Sequence, residues 1–272
     1  MPIGPDFFNL RVDCRHSIIL DVILPTADMN FLKPLLTVFL FCSFCNAQSF
    51  VSKLPVDGVT ATYGFKKTET NRFGDVTKFQ GIVELRTLGT KEIEDQKFRW
   101  LEIESHEFNK DIPSNGGSIL KILIPEESIK RSKNIVFGAK IAWQCHYDLK
   151  NDTKEITQLL NPKKHLAPWL VPPKNTKFKS IANRRIKTSI GTLNAKGNRC
   201  SYQITSKDSK SEKNEIHKME LTYYTNDQSP FGGVEMTSIR TADERITAQT
   251  LTLKSFEHKA VSSLPKHWLL AK

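Results

Sequence analysis

Apolar and polar residues alternate with a period of two through most of the chain, the pattern of half-buried β-strands. Val59, Ala61, Tyr63 and Phe65 alternate with Thr60, Thr62, Gly64 and Lys66, and predict a first strand. Asn71–Asp75 reads as a turn. A second strand is predicted over Val76–Leu88, with Phe79, Gly81, Val83 and Leu85 on one face and Gly89 ending it. Phe98–Phe108 is a third, with Leu101 and Ile103 on one face and Phe98 and Trp100 on the other. Ser118–Ile124 is short and aliphatic, as in a strand buried on both faces. Met219, Leu221 and Tyr223, then Val234 and Met236, alternate on either side of Asn226–Gly233. Pro230 and Gly232-Gly233 there mark the turn of a late hairpin. A last strand is expected at Ile246–Phe256, with Leu251 and Leu253 inward.

Two stretches break the alternation. Pro125-Glu126-Glu127 resembles a helix start, and Ile135, Ala139, Ala142 and Trp143 fall near one helical face. They predict a helix over Ile129–Tyr147, interrupted near Asn134. Asp148–Lys154 reads as a polar loop and Asn161–Pro173 as a proline-rich crossover. Strand texture returns at Lys177–Ile190 and runs on to Ala195; a turn is expected at Lys196-Gly197-Asn198, then a strand at Cys200–Thr205. Ser206–Asn214 is lysine- and serine-rich and reads as a mobile loop. No βαβ alternation and no repeat of fixed period is present. The expected fold class is α+β, mostly β: a strongly curved antiparallel sheet or open half-barrel with one or two packing helices.

The first residues have a different character. Met29–Lys33 is a basic n-region, Leu35–Cys45 a short apolar h-region, and Cys45-Asn46-Ala47 a small-residue cleavage site, so 29–47 reads as a signal peptide. That apolar run falls well short of the roughly 20 residues a membrane span needs. Residues 1–28 carry four acids against two bases, wrong for an n-region, and read as an unstructured upstream extension. Residues 48–272 are then one exported domain, periplasmic or extracellular, with no transmembrane segment after signal removal.

Charge sharpens the picture. The whole chain has a formal net charge of +11. Between Glu155 and Asp208 there is no acid, while eleven bases fall there, from Lys163 to Lys207. In an exported protein such a block attracts lipid head groups or acidic polysaccharide through its summed field, or remains a solvated face. Lys174, Lys177, Lys179, Arg184, Arg185 and Lys187 are the candidate anion or head-group contacts; no specific nucleic-acid partner is expected. Cys145 and Cys200 are the two cysteines outside the leader and the upstream extension. In an oxidising compartment they form one disulfide or stand as two buried thiols, and only geometry decides.

The turn motifs point to a family. Lys187–Leu193 followed by Ala195-Lys196-Gly197, and Tyr223-Tyr224 leading into Ser229–Val234, resemble a pattern in uncharacterised exported bacterial proteins. Leu54–Gly58 and Lys121–Glu126 are similar to recurrent elements of the same proteins. In architecture these resemble the outer-membrane lipoprotein carriers, a curved sheet closed on one side by helices, which hold acyl chains in an apolar concavity. The resemblance implies that fold and a lipid or lipoprotein-like ligand. It supplies no residue-by-residue match.

Candidate chemistry is sparse. Glu102, Glu104 and His106 would share one strand face, able to serve acid–base work or bind a metal; the competing expectation is a solvent-facing charged row. Cys145-His146 is a thiol beside an imidazole, but adjacent residues seldom point together. No phosphate loop, zinc motif or nucleophile elbow occurs, and no cofactor is expected. The leading expectation is non-enzymatic binding of an apolar or amphiphilic ligand in the sheet's concavity. The alternatives are an adhesive module holding acidic polysaccharide, and a hydrolase using the Glu/His cluster.

Overall fold

The computed structural model describes residues 49–264 except 56–57, 109–115, 132–137, 140, 149–152, 160–169, 171, 174 and 208–213. The leader, the upstream extension, Lys174, most of the proline-rich crossover and the Ser206–Asn214 loop, apart from its ends, lie outside the described residues.

Eleven strands among these residues form one antiparallel sheet. They are β1 (Thr60–Thr70), β2 (Val76–Ile93), β3 (Gln96–Phe108), β4 (Gly116–Pro125), β5 (Ile141–Asp148), β6 (Thr153–Leu159), β7 (Lys179–Thr188), β8 (Gly191–Lys207), β9 (Asn214–Thr225), β10 (Gly233–Ala242) and β11 (Arg245–Glu257). The spatial order is β6-β5-β4-β3-β2-β1-β11-β10-β9-β8-β7. Two meanders thus lie side by side, joined where β1 pairs β11 from Thr60↔Glu257 to Thr70↔Ile246. Mostly-β architecture in one open antiparallel sheet is as expected.

The β11–β7 half curls on itself. The Ser189 amide, in the β7–β8 turn, donates to the Lys254 carbonyl of β11 at 3.3 Å. Arg184 of β7 reaches Glu235 of β10 at 2.7 Å.

One face of the sheet makes the main core. Ala61, Tyr63, Val83, Leu85, Leu101, Ile103, Ile122, Ile124, Met219, Leu221, Tyr223, Met236, Leu251 and Leu253 are buried there. It is covered chiefly by irregular chain. Phe50, Val51 and Leu54 pack onto it, tied by the Ser52 amide to the Phe231 carbonyl at 3.0 Å. Leu170 and Phe178, from the β6–β7 connection between the two sheet edges, pack onto it as well.

Among the described residues the α-helix is α1, Glu126–Arg131, which lends Ile129 to this core. The helix expected over Ile129–Tyr147 is not formed beyond Arg131 among the described residues. Ile141–Asp148 is instead β5, paired with β4 from Gly116↔Asp148 to Leu123↔Ile141. Ile141, Trp143, Cys145 and Tyr147 also alternate, and an open β4 edge offers them partners, so tertiary pairing overrides the helical spacing. Gly89 does not end β2. It adopts φ 85° within a register shift between Thr87 and Thr90, a bulge through which the strand continues. Nor is Lys196-Gly197-Asn198 a turn: all three pair with β9, Gly197 and Asn198 pair with β7 as well, and the hairpin turns at Ser189-Ile190. Turn-forming composition yields there to two flanking ladders.

Candidate functional site

The inner face is closed at one end by an aromatic cluster. Phe50 lies 5.2 Å from the Tyr63 ring and 6.3 Å from that of Tyr223, centroid to centroid. Phe178 stacks on the other side of the cluster, 6.0 Å from Tyr223 at 26°. The Tyr63 hydroxyl donates to the Gly233 carbonyl at 3.1 Å, and burial raises both tyrosine hydroxyls above their ordinary pKa. Phe178 is half-buried on a stretch without regular structure, and Lys177 and Lys179 on either side of it are exposed. Two residues earlier, the Thr176 hydroxyl is buried without a hydrogen-bond partner among the described groups.

The sequence-predicted anion contacts divide accordingly. Lys177 and Lys179 flank Phe178. Arg185 and Lys187 are exposed on β7, an edge of the sheet, and alternate with buried Ile186. Arg184 is drawn to Glu235 and lies 5.7 Å from the Tyr224 ring. Lys174 lies outside the described residues.

On the opposite face, Glu102, Glu104 and His106 share one side of β3, as their spacing predicts. They are not a solvent-facing row. Glu102 is completely buried and Glu104 nearly so. Strand register places Arg86 (β2), Glu102 (β3) and Lys121 (β4) in one cross-strand row, plus–minus–plus. Arg86 Nη1 reaches Glu102 at 3.1 Å and Glu104 at 2.5 Å, and its other terminal nitrogen meets Glu84.

The cover comes from residues far along the chain. Ser262 Oγ donates to Glu102 Oε2 at 2.6 Å, the Ser263 amide to Glu102 Oε1 at 3.0 Å, and Ser263 Oγ to Glu104 Oε2 at 2.5 Å. His106 Nε2 sits 3.0 Å from Glu104 Oε1. Every oxygen of the two carboxylates thus faces a donor. Burial alone would raise the Glu104 carboxyl, but Ser263 and Arg86, then His106, outweigh it and hold it below the usual range. Burial lowers the Lys121 ammonium, with Glu102 opposing.

Sequence reasoning missed this enclosure because the serines lie about 160 positions away in a polar tail. One signal was available: Lys121 interrupts the aliphatic run Ile119–Ile124, where a lone lysine calls for a buried counter-ion.

Cys145 and Cys200 are both buried and are not bonded to each other in this structure. Cys145 packs with Ile119 and Leu264, and Cys200 belongs to the main core, so the thiols occupy separate clusters. Burial pushes the Cys200 thiol up to about 12. The side chain of His146 lies outside the described residues. No group of metal-ligating side chains occurs among the described residues.

A cleft of about 310 Å³ opens where the strands run out beyond the core, lined by Glu69, Asp75, Thr77, Glu215, Arg240 and Arg245 among others. Arg240 Nε donates to buried His217 Nδ1 at 3.2 Å, and Arg245 holds Glu215 at 3.2 Å. Burial, then Arg240, lowers the His217 pKa.

No protein-family model and no curated protein matches the chain. Among solved structures it is similar to a candidate exported protein with a YmcC-like fold from Bacteroides fragilis, at 9% identity and TM-score 0.32, over 76% of this chain and 99% of that one. A candidate lipoprotein from Parabacteroides distasonis gives 10% identity and TM-score 0.32, over 78% and 100%. A candidate outer-membrane lipoprotein-sorting domain from Vibrio parahaemolyticus gives 6% and 0.26, over 77% and 88%. At such identity and superposition the likeness speaks to neither ligand nor chemistry. No helix among the described residues is long and apolar enough to cross a membrane.

Proposed function

We propose that this chain is an exported, non-enzymatic binding protein of the cell envelope whose ligand is an amphiphile with an anionic head. The observation that carries this reading is Phe178: an aromatic stacked into the apolar inner face from an irregular segment, with exposed lysines on both sides. An acyl chain would lie against the inner face in place of Phe178, with Lys177 and Lys179 at the head group and Arg185 and Lys187 beyond them. The inner face is occupied in this structure, so ligand entry requires that irregular segment to move aside. Two features support its being displaceable. Its described residues make no strand pairing, only the Thr176 turn bond, and the Thr176 hydroxyl is buried without a partner among the described groups, which costs about 1–3 kcal/mol.

Native mass spectrometry of protein exported from a bacterial host, with extraction of what co-purifies, tests the reading. A bound lipid is expected, reduced several-fold in a Lys177→Gln/Lys179→Gln variant. Protein that carries no lipid and takes up none from anionic micelles would sink it.

A second reading rests on the exposed Lys179, Arg185 and Lys187 along β7: a basic edge that holds acidic polysaccharide. Salt-sensitive retention on an anionic glycan, lost when Lys177, Lys179, Arg184 and Arg185 are neutralised, supports it. Unchanged retention in that variant counts against it.

A further inference from the structure

The outer face of β2–β5 is shaped around three residues of chain. Both serine hydroxyls and the Ser263 amide meet carboxylate oxygens of Glu102 and Glu104 in register, and Leu264 seats against Ile119 and Cys145. Arg86 and Lys121 complete the floor, with Arg86 Nη1 donating to Ser263 Oγ at 2.9 Å and Lys121 Nζ to Ser262 Oγ at 3.3 Å. Backbone, hydroxyls and an apolar side chain are therefore each read by a separate feature of the sheet.

We propose that this face is a recognition site for an extended peptide segment carrying two hydroxyls and a leucine. It is filled in cis by Ser262–Leu264 and open to exchange with the same segment of a second copy. Upstream of Ser262 the segment is tied at Lys259, whose carbonyl accepts from the Thr60 hydroxyl at 3.1 Å. Residues 258–261 lead in without regular structure, and Val261 is 71% exposed. The contacts are also of an exchangeable kind. Hydroxyl-to-carboxylate bonds are exchanged one for one with bonds to water or to another hydroxyl, so the same segment of a second copy can replace each of them. Release leaves no orphaned charge, because Arg86 still bridges Glu84, Glu102 and Glu104, and Lys121 still lies beside Glu102. Among the described residues of this strap, Leu264 is the buried apolar anchor.

Cys145 reports on the site because it lies under Leu264, and Cys200, in the main core, reports on global unfolding. Maleimide labelling of the full chain, read peptide by peptide by mass spectrometry, separates the two. In a Ser262→Ala/Ser263→Ala variant the Cys145 rate should rise about tenfold or more, while the Cys200 rate stays put. An excess of synthetic peptide of residues 257–266 should restore protection, and its doubly alanine-substituted form should not. Leu264→Ala, which keeps both hydroxyls, is a second route to the same selective rise. If neither variant raises Cys145 alone, or if the unsubstituted peptide gives no protection, the proposal is overturned.

Discussion

Gly81 shows how little room a single position can leave. A Cβ built there would stand 1.9 Å from the His106 carbonyl oxygen, on the backbone of the neighbouring strand. No side-chain motion relieves that contact, so β2 and β3 must separate locally. Gly81→Ala is expected to cost about 1–3 kcal/mol, read from the urea midpoint at unchanged slope. A variant as stable as the parent would mean that β3 is not held at this register. Lys121 works the other way. It is tolerated among aliphatic neighbours because its ammonium lies 4.0 Å from Glu102 and 5.2 Å from the Trp100 ring centroid. Removal of Glu102 alone would strand it, and would damage the fold more than removal of both.

Among the elements, β7 carries the charge that dominated the sequence. It is an edge strand, and edges with free backbone groups pair with other chains unless something discourages them. Arg185 and Lys187 on its exposed side do that, whatever else they bind. Replacing both with valine should bring concentration-dependent association, visible by light scattering, while the wild type stays monodisperse under the same conditions. Equal scattering from both would leave anion binding as the better account of the basic run.

The strands themselves were largely legible, because alternation at Tyr63, Leu101, Leu251 and Met236 reports a face that is apolar on one side only. What could not be read was where two patterns compete. Trp143 satisfies a helical face with Ala142 and a strand alternation with Ile141 and Cys145, and the choice is made by pairing with β4, which the local period does not encode. The enclosure of Glu102 was illegible for a similar reason: its cover is set by contacts across about 160 residues, which no local period encodes. Lys177 and Lys179 were found through the basic run, but nothing in their spacing placed the half-buried Phe178 against the core.

For the whole molecule, two buried groups set the response to acid. His217 is held below its ordinary value, about 6.5, so the unfolded chain takes up that proton first. Stability is therefore flat above about pH 6.5 and declines as pH falls through the lower folded value. Glu104 is likewise depressed. Its contribution is complete above about pH 4.3, the unfolded carboxyl, and is lost as pH falls through its folded value. Urea titrations from pH 8 to 3 should show decline in two stages, and His217→Asn should remove only the upper one. A single stage in the parent, or no change in the variant, would contradict the assignment.

The pairing of β1 with β11 has a consequence in time. Thr60 finds its partner at Glu257, so the middle of the sheet is sewn by residues made almost 200 positions apart. Local hairpins close quickly, but a join of that span waits for nearly the whole chain and closes slowly. Until β11 emerges, each meander presents one unsealed flank, and the chain remains two half-sheets. A polypeptide whose last described strand completes its middle becomes a finished object only when that strand has joined.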